Sequence, residues 1–216
     1  MRDRILGGCL LLLVLLLCAL ALTETPVTSN SIPSTDKPLK EPSARILVVY
    51  YSRTGNTEKF AGGVAEGVKR VHGAAAVVKR VEDVTKEDLE AADAIALGCP
   101  TYFGNIPGKM KVAIDDWNWK WKVDFTDKVG GAFSTGSGQV GGKEFVIVSL
   151  LMFMLNNRMI VAGPLYQDAE KGSIWAEAGA AAMTGPLDLG VSDQELDAAR
   201  RLGQRLARLA LKLRSD

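Results

Sequence analysis

At 216 residues and a formal net charge of +1, the chain is long enough for one domain with a full core and a short appendage. So balanced a charge offers no basic face to a polyanion, and nucleic acid is excluded as a partner. Of three cysteines only Cys99 lies beyond residue 43, so the folded part can form no internal disulfide and must be held by packing.

The chain opens on a targeting segment. Arg2 and Arg4 precede the uncharged run ILGGCLLLLVLLLCALAL, residues 5–22. As a helix this run would span about 27 Å, short for a bilayer and generous for a signal-peptide core. Ala19 and Ala21 form an A-x-A cleavage pattern, so a removed signal peptide and a retained single-span anchor both stand. A lipoprotein signal fits less well, because Leu17 stands before Cys18 where a small residue is wanted. The two arginines favour a cytoplasmic N-terminus, which makes the protein exported or membrane-anchored with its domain outside the cytoplasm. Residues 23–43, rich in Pro, Ser and Thr, read as a disordered tether, and 44–216 as the folded domain.

From residue 45 strands and helices alternate. RILVVYY is a continuous apolar run of the kind a parallel strand buried on both faces requires. Thr57 to Val71 has helical spacing, with Phe60, Val64, Val68 and Val71 on one side. Strands follow at 75–81 and 93–98, separated by a short helix that Thr85 and Asp88 open as a capping box. A helix near 107–116, a strand at 129–134 and an apolar helix at 142–157 come next, then the fifth strand, MIVAG, at 159–163. Ser192 and Glu195 form a second capping box, opening a helix with Leu196, Leu202, Leu206, Leu209 and Leu213 on one face. Five alternations predict a doubly wound α/β sandwich with a parallel sheet.

Ligands of such sheets bind outside the carboxyl ends of the strands, where the loops 52–57, 99–107 and 134–141 must converge. SRTGNT, 52–57, joins a buried strand to a helix N-terminus, an arrangement that presents free N–H groups and a positive dipole end to an anion. Ser52, Thr54 and Thr57 add hydroxyls, and Gly55 lets the backbone come close, which suits a phosphate. No Walker motif is present, so triphosphate hydrolysis is not expected. GSGQVG, 136–141, fits G-x-G-x-x-G but follows the fourth strand, with no acidic residue ending the next one, so it is no Rossmann fingerprint. No metal site is expected.

Three segments together resemble a known family. Ser52-Arg53-Thr54-Gly55-Asn56-Thr57 resembles the FMN-phosphate loop of the flavodoxin superfamily. PTYFGNIP, 100–107, and FSTGSGQVGGKE, 133–144, resemble the two further flavin loops of its NAD(P)H:quinone oxidoreductases of the tryptophan-repressor-binding-protein type. The resemblance covers residues 44–214. It implies a flavodoxin-like five-stranded parallel sheet of order 2-1-3-4-5 with helices on both faces, FMN as cofactor, NAD(P)H as electron donor and a quinone-like small molecule as acceptor. A flavodoxin-like one-electron carrier serving a membrane partner is the alternative. The near-neutral charge argues against it, since carriers use a one-signed docking face.

Carried across, the resemblance implies that the phosphate meets residues 52–57. The ring would meet Pro100, Thr101, Tyr102, Phe103, Gly104 and Asn105 on one side, and Ser134, Thr135, Gly136, Ser137, Gly138 and Gln139 on the other. A flat ring with polar edges needs aromatic cover, from Tyr102 or Phe103, and backbone that can approach it. No catalytic side chain is implied, because the flavin carries the chemistry. Two departures stand out. LNNRM places Asn156 or Asn157 where the family often has a flavin-bordering His, and an amide cannot shuttle protons as imidazole does. A longer insertion common in these reductases is absent, which puts tetramer formation in doubt while a homo-oligomer of some kind stays open. His72, the only histidine, is expected to be exposed and remote.

Trp117, Trp119 and Trp121 stand at alternate positions. They read either as a roof over flavin and quinone or as a packing ribbon, and Trp117 and Asn156 are the candidate substrate contacts. Trp175 reads either as a cover for the substrate entrance or as packing on the fifth strand. Cys99, at a buried strand end, is expected to be inert.

Overall fold

The computed structural model describes residues 44–164 and 178–214; residues 1–43, which hold the targeting segment and tether, and Trp175 lie outside them. Its strands are β1 (Ala44–Tyr50), β2 (Ala74–Arg80), β3 (Ala94–Pro100), β4 (Val129–Gly136), β5 (Ile160–Val161) and β6 (Ala180–Met183). Its α-helices are α1 (Asn56–Lys69), α2 (Lys86–Glu90), α3 (Gly108–Trp119), α4 (Lys143–Asn156) and α5 (Asp193–Arg214). The sheet runs β2-β1-β3-β4-β5, every pairing parallel, which is the flavodoxin-like order.

Alternation along the central strands feeds two cores. Ile46, Val48, Ala94 and Ala96 point to one face, where α1 and α5 supply Phe60, Val64, Leu202 and Leu206. Leu47, Val49, Ile95 and Leu97 point to the other, against Met110, Ile114 and Trp117 of α3 and Ile147, Leu150 and Met154 of α4. Each of these large apolar side chains, removed from water, stabilises the fold by roughly 1.5–3 kcal/mol. The helices α1 and α5 approach so closely that a Cβ on Gly203 would stand 1.9 Å from the Val64 carbonyl oxygen. A Cβ on Gly67 would likewise run into the Arg200 carbonyl oxygen, so each helix carries a glycine where the two meet.

Both capping boxes form. Thr85 and Asp88 exchange bonds at the start of α2. Ser192 N–H donates to Glu195 Oε2 at 2.8 Å, and Glu195 N–H to Ser192 Oγ at 3.3 Å. Along α5 the buried stripe is Leu196, Ala199, Leu202, Leu206 and Ala210; Leu213 is exposed, so the expected leucine face ends a turn early.

The fifth position of the sheet differs from expectation. MIVAG contributes only Ile160 and Val161, paired with Val129 and Gly130. Ala180–Met183 then pairs with Phe133–Gly136, farther along the same edge of β4. The long strand β4 therefore has two short partners in succession, and a sixth carboxyl end reaches the functional edge of the sheet. Among the described residues no helix is long and apolar enough to cross a membrane.

Candidate functional site

A cleft of about 360 Å³ opens at the carboxyl edge, where loops after β1, β3, β4 and β6 meet. Its volume falls within the roughly 300–1,000 Å³ of ordinary ligand sites.

The loop after β1 forms an anion cradle. Gly55 caps α1 in a left-handed conformation, φ 94°, which glycine adopts without a Cβ penalty. Gly55 has no side chain with which to cap, and the first-turn amides of Asn56, Thr57 and Glu58 have no intrahelical acceptor because the helix begins there. Ser52 Oγ accepts from Gly55 N–H at 3.1 Å, which keeps its own proton free to donate. Arg80 steadies the loop from β2, donating to the Ser52 carbonyl at 2.8 Å. Thr57, 1% exposed, shares a 2.7 Å hydrogen bond with Thr135 at the end of β4, joining the first and third loops.

The loop after β3 turns tightly. Tyr102 and Asn105 exchange both backbone hydrogen bonds across Phe103 and Gly104, whose φ values of 51° and 79° are those of a type I′ turn. Tyr102 is carried into the cleft, its ring 6.1 Å from that of Tyr51. Its hydroxyl is buried and among the described residues has no hydrogen-bond partner, a costly state that a ligand would relieve. Burial raises the phenol above its ordinary pKa, with Tyr51 adding to the effect and Arg53 opposing it. Such a donor, beside a helix N-terminus, fits a ligand with both a polar ring edge and an anionic end.

The loop after β4 is packed on the second loop. Thr101 Oγ1 donates to the Gly141 carbonyl at 3.1 Å, and Gly142, φ 88°, lies against Gly104 with no room for a Cβ between them. The buried Lys143 ammonium donates to the carbonyls of Gly138 and Gln139 at 2.6 and 3.1 Å.

Of the residues expected from sequence, Ser52, Arg53, Thr54, Asn56, Thr57, Pro100, Thr101, Tyr102, Thr135, Gly136 and Ser137 line the cleft. Gly55, Gly104, Gly138 and Gln139 belong to the same loops but are not among the residues that line the cleft. Asn105 closes the turn. Phe103 projects fully into solvent rather than over the cleft. Ser134 is turned inward, 0% exposed, and donates to the Cys99 carbonyl at 2.9 Å.

The two substrate contacts require correction. Trp117 is 1% exposed, packs edge-on to Phe153 in the core between α3 and α4, and is not among the residues that line the cleft. Trp119 on the same helix is 82% exposed, and Trp121 lies just beyond the helix end. Asn156 ends α4, and a helix that follows a strand's carboxyl end finishes at the amino edge of a parallel sheet. Within one chain that places Asn156 on the opposite side from the cleft. His72 is exposed, as expected. Cys99 is 0% exposed, and burial pushes its thiol far up, leaving no thiolate.

Sequence reasoning missed the fourth loop. Thr184, Gly185, Pro186 and Asp188 line the cleft from the end of β6, and Asn56 Nδ2 donates to Asp188 Oδ1 at 2.5 Å. The signal was the turn sequence Thr184-Gly185-Pro186 directly after a small apolar run.

Fold and loop set define a flavodoxin-like protein. A family model for NADPH-dependent FMN reductases matches residues 75–171. An NAD(P)H dehydrogenase (quinone) from Gluconacetobacter diazotrophicus is 36% identical over 198 residues, covering 78% of this chain and 98% of that one. A flavodoxin from Aquifex aeolicus is 37% identical over 163 residues, 76% of this chain and 85% of its own. Among solved structures, a WrbA-like flavodoxin from Agrobacterium tumefaciens superposes with a TM-score of 0.62 at 25% identity, over 79% of this chain and 99% of that one. The chain belongs to the flavodoxin-like family of WrbA-type NAD(P)H dehydrogenases (quinone).

Proposed function

We propose that the chain is an FMN-dependent oxidoreductase that takes hydride from NAD(P)H and passes electrons to a quinone-like acceptor. The observation that carries this reading is the convergence, in one cleft, of a helix N-terminus ringed by hydroxyls with the buried Tyr102 hydroxyl, which has no partner among the described residues. The names of the relatives, an NAD(P)H dehydrogenase (quinone) and a flavodoxin, support the cofactor, and the first of them supports donor and acceptor.

When bound, the flavin supplies the hydride and electron chemistry. The chain supplies position. Amides of residues 56–58 and the hydroxyls of Ser52, Thr54 and Thr57 would hold the phosphate, with Arg53 adding the one positive charge among the described residues that line the cleft. The Tyr102 ring would bound the isoalloxazine and its hydroxyl would donate to a polar edge, while the backbone of Thr135–Ser137 would face the other side.

The test uses full-length protein loaded with FMN under anaerobic conditions, following flavin absorbance as NADH and then NADPH is added. Rapid bleaching that benzoquinone reverses is the expected result. A flavin that stays yellow with both nucleotides and bleaches only with dithionite would overturn the reductase and favour the one-electron carrier.

We further propose that residues 5–22 keep the domain at a membrane, near lipid-soluble quinones. The support is the uncharged run behind Arg2 and Arg4. Export would separate the domain from cytoplasmic NAD(P)H, so orientation decides whether the donor can reach it.

A further inference from the structure

We infer that Asp188 determines which anions the phosphate cradle accepts, by occupying the place of the anion until a larger ligand displaces it; this rests on the FMN reading above. Asn56 is the first residue of α1, and its amide nitrogen donates both to Asp188 Oδ1 and, at 3.1 Å, to Thr54 Oγ1. The Asp188 carboxylate, held by the side chain of the first residue of α1, thus puts a negative charge beside the backbone amides that would hold a phosphate. Among the described residues lining the cleft, Arg53 is the only cation and Asp188 the only anion.

The loop that carries Asp188 is fixed by its backbone. Thr184 N–H donates to the Gly136 carbonyl at 2.9 Å, Leu189 N–H to Thr184 at 2.9 Å, and Lys59 Nζ to the Val191 carbonyl at 2.8 Å. A side-chain rotation of Asp188 therefore suffices to clear the cradle, with no loop opening. An inorganic anion gains only the cradle's hydrogen bonds and must overcome the carboxylate's repulsion. A flavin phosphate brings the additional contacts of its ring with Tyr102 and the loop after β4. Asp188 thus sets a threshold: its charge lowers the affinity of the cradle for every anion, and a ligand clears that threshold only where its ring adds contacts of its own.

The backbone at Asp188 has φ 54°, a left-handed conformation that Asn and Gly also accept, so Asp188→Asn keeps shape and removes charge. Full-length wild type and variant, stripped of flavin, are titrated with FMN and with riboflavin by fluorescence quenching, with and without inorganic phosphate. The variant is expected to bind FMN about tenfold tighter, riboflavin within about twofold of wild type, and to lose FMN affinity when phosphate is added while wild type does not. The FMN gain should shrink as salt is raised. Unchanged FMN affinity overturns the inference while leaving the cofactor assignment intact. Equal tightening of FMN and riboflavin also overturns it, since the effect is then not one of charge. Failure of both proteins to bind FMN sinks the inference and the cofactor assignment together. Should Asp188→Asn fold poorly, Asp188→Gly repeats the comparison.

Discussion

Replacing Thr57 by Val separates what this side chain does for the fold from what it does for the ligand. Thr57 and Thr135 hydroxyls lie 2.7 Å apart, at 1% and 2% exposure. Valine matches threonine in shape, so Thr57→Val removes the hydrogen bond and strands the Thr135 hydroxyl away from water, at a cost of about 1–3 kcal/mol. Adding Thr135→Val removes the stranded group, and the double variant should return to within about 1 kcal/mol of wild type. Urea unfolding of the ligand-free proteins measures this, and the coupling should be about 1–2 kcal/mol. Binding should rank differently. An anion in the cradle fixes the hydroxyl chain, with Thr135 donating to Thr57 and Thr57 to the phosphate, so of the two hydroxyls only that of Thr57 touches the ligand. Both Thr57→Val and the double variant should then lose about tenfold or more in FMN affinity. Thr135→Val should lose less, and riboflavin should be little affected by any of the three. Additive stability effects would refute the hydrogen bond, and unchanged FMN affinity in Thr57→Val would refute its role in the cradle.

Asp88 sits between Lys79, at 2.5 Å, and the backbone and hydroxyl of Thr85, at 2.9 and 3.1 Å. Burial works to raise its pKa, but these bonds together hold the carboxyl below its ordinary value. A depressed carboxylate stabilises above its unfolded pKa, about 3.9, and loses that contribution as pH falls through the folded value. Asp88→Asn should therefore cost about 1–2 kcal/mol at pH 7, and the difference from wild type should close as pH falls below the ordinary carboxylate range, as read by thermal unfolding across pH. For the tether, a reporter active only outside the cytoplasm, fused after Asp216, should be active; activity confined to a cytoplasmic reporter would refute the outward orientation.

Much of the fold was legible because its signals are local. Continuous apolar runs mark β1 and β3, and S/T-x-x-D/E marks the starts of α2 and α5, where hydrogen bonds span three residues. The fifth sheet position was not. Ala180–Met183 is three alanines and a methionine, carrying no β-branched or aromatic signal, and it becomes a strand only because the edge of β4 is open beside it. The tryptophans misled for a similar reason. Alternate spacing suggests the period of a strand, yet α3 runs through Trp119, and residues two apart on a helix point to nearly opposite sides. One is therefore core and the other solvent-exposed. The error at Asn156 was one of direction, since the start of a parallel strand and the cleft lie at opposite ends of the sheet.

The break in the fifth strand also decides the chemistry of the cleft. β6 enters with Ala180 opposite Phe133 and leaves with Met183 opposite Gly136, and that register delivers Thr184 to the Gly136 carbonyl and Asp188 to Asn56. Glu195 pins the register from outside, accepting from Met183 N–H at 2.5 Å while it caps α5 through Ser192. Side chains alternate along a strand, so a one-residue slip of β6 would turn Ala180 and Ala182, both fully buried among α5 contacts, toward the opposite face and carry Asp188 out of the cradle. The four residues of β6 thus transmit a packing constraint to an electrostatic one. The effect inferred for Asp188 on anions in the cleft therefore depends on the register in which β6 pairs with β4.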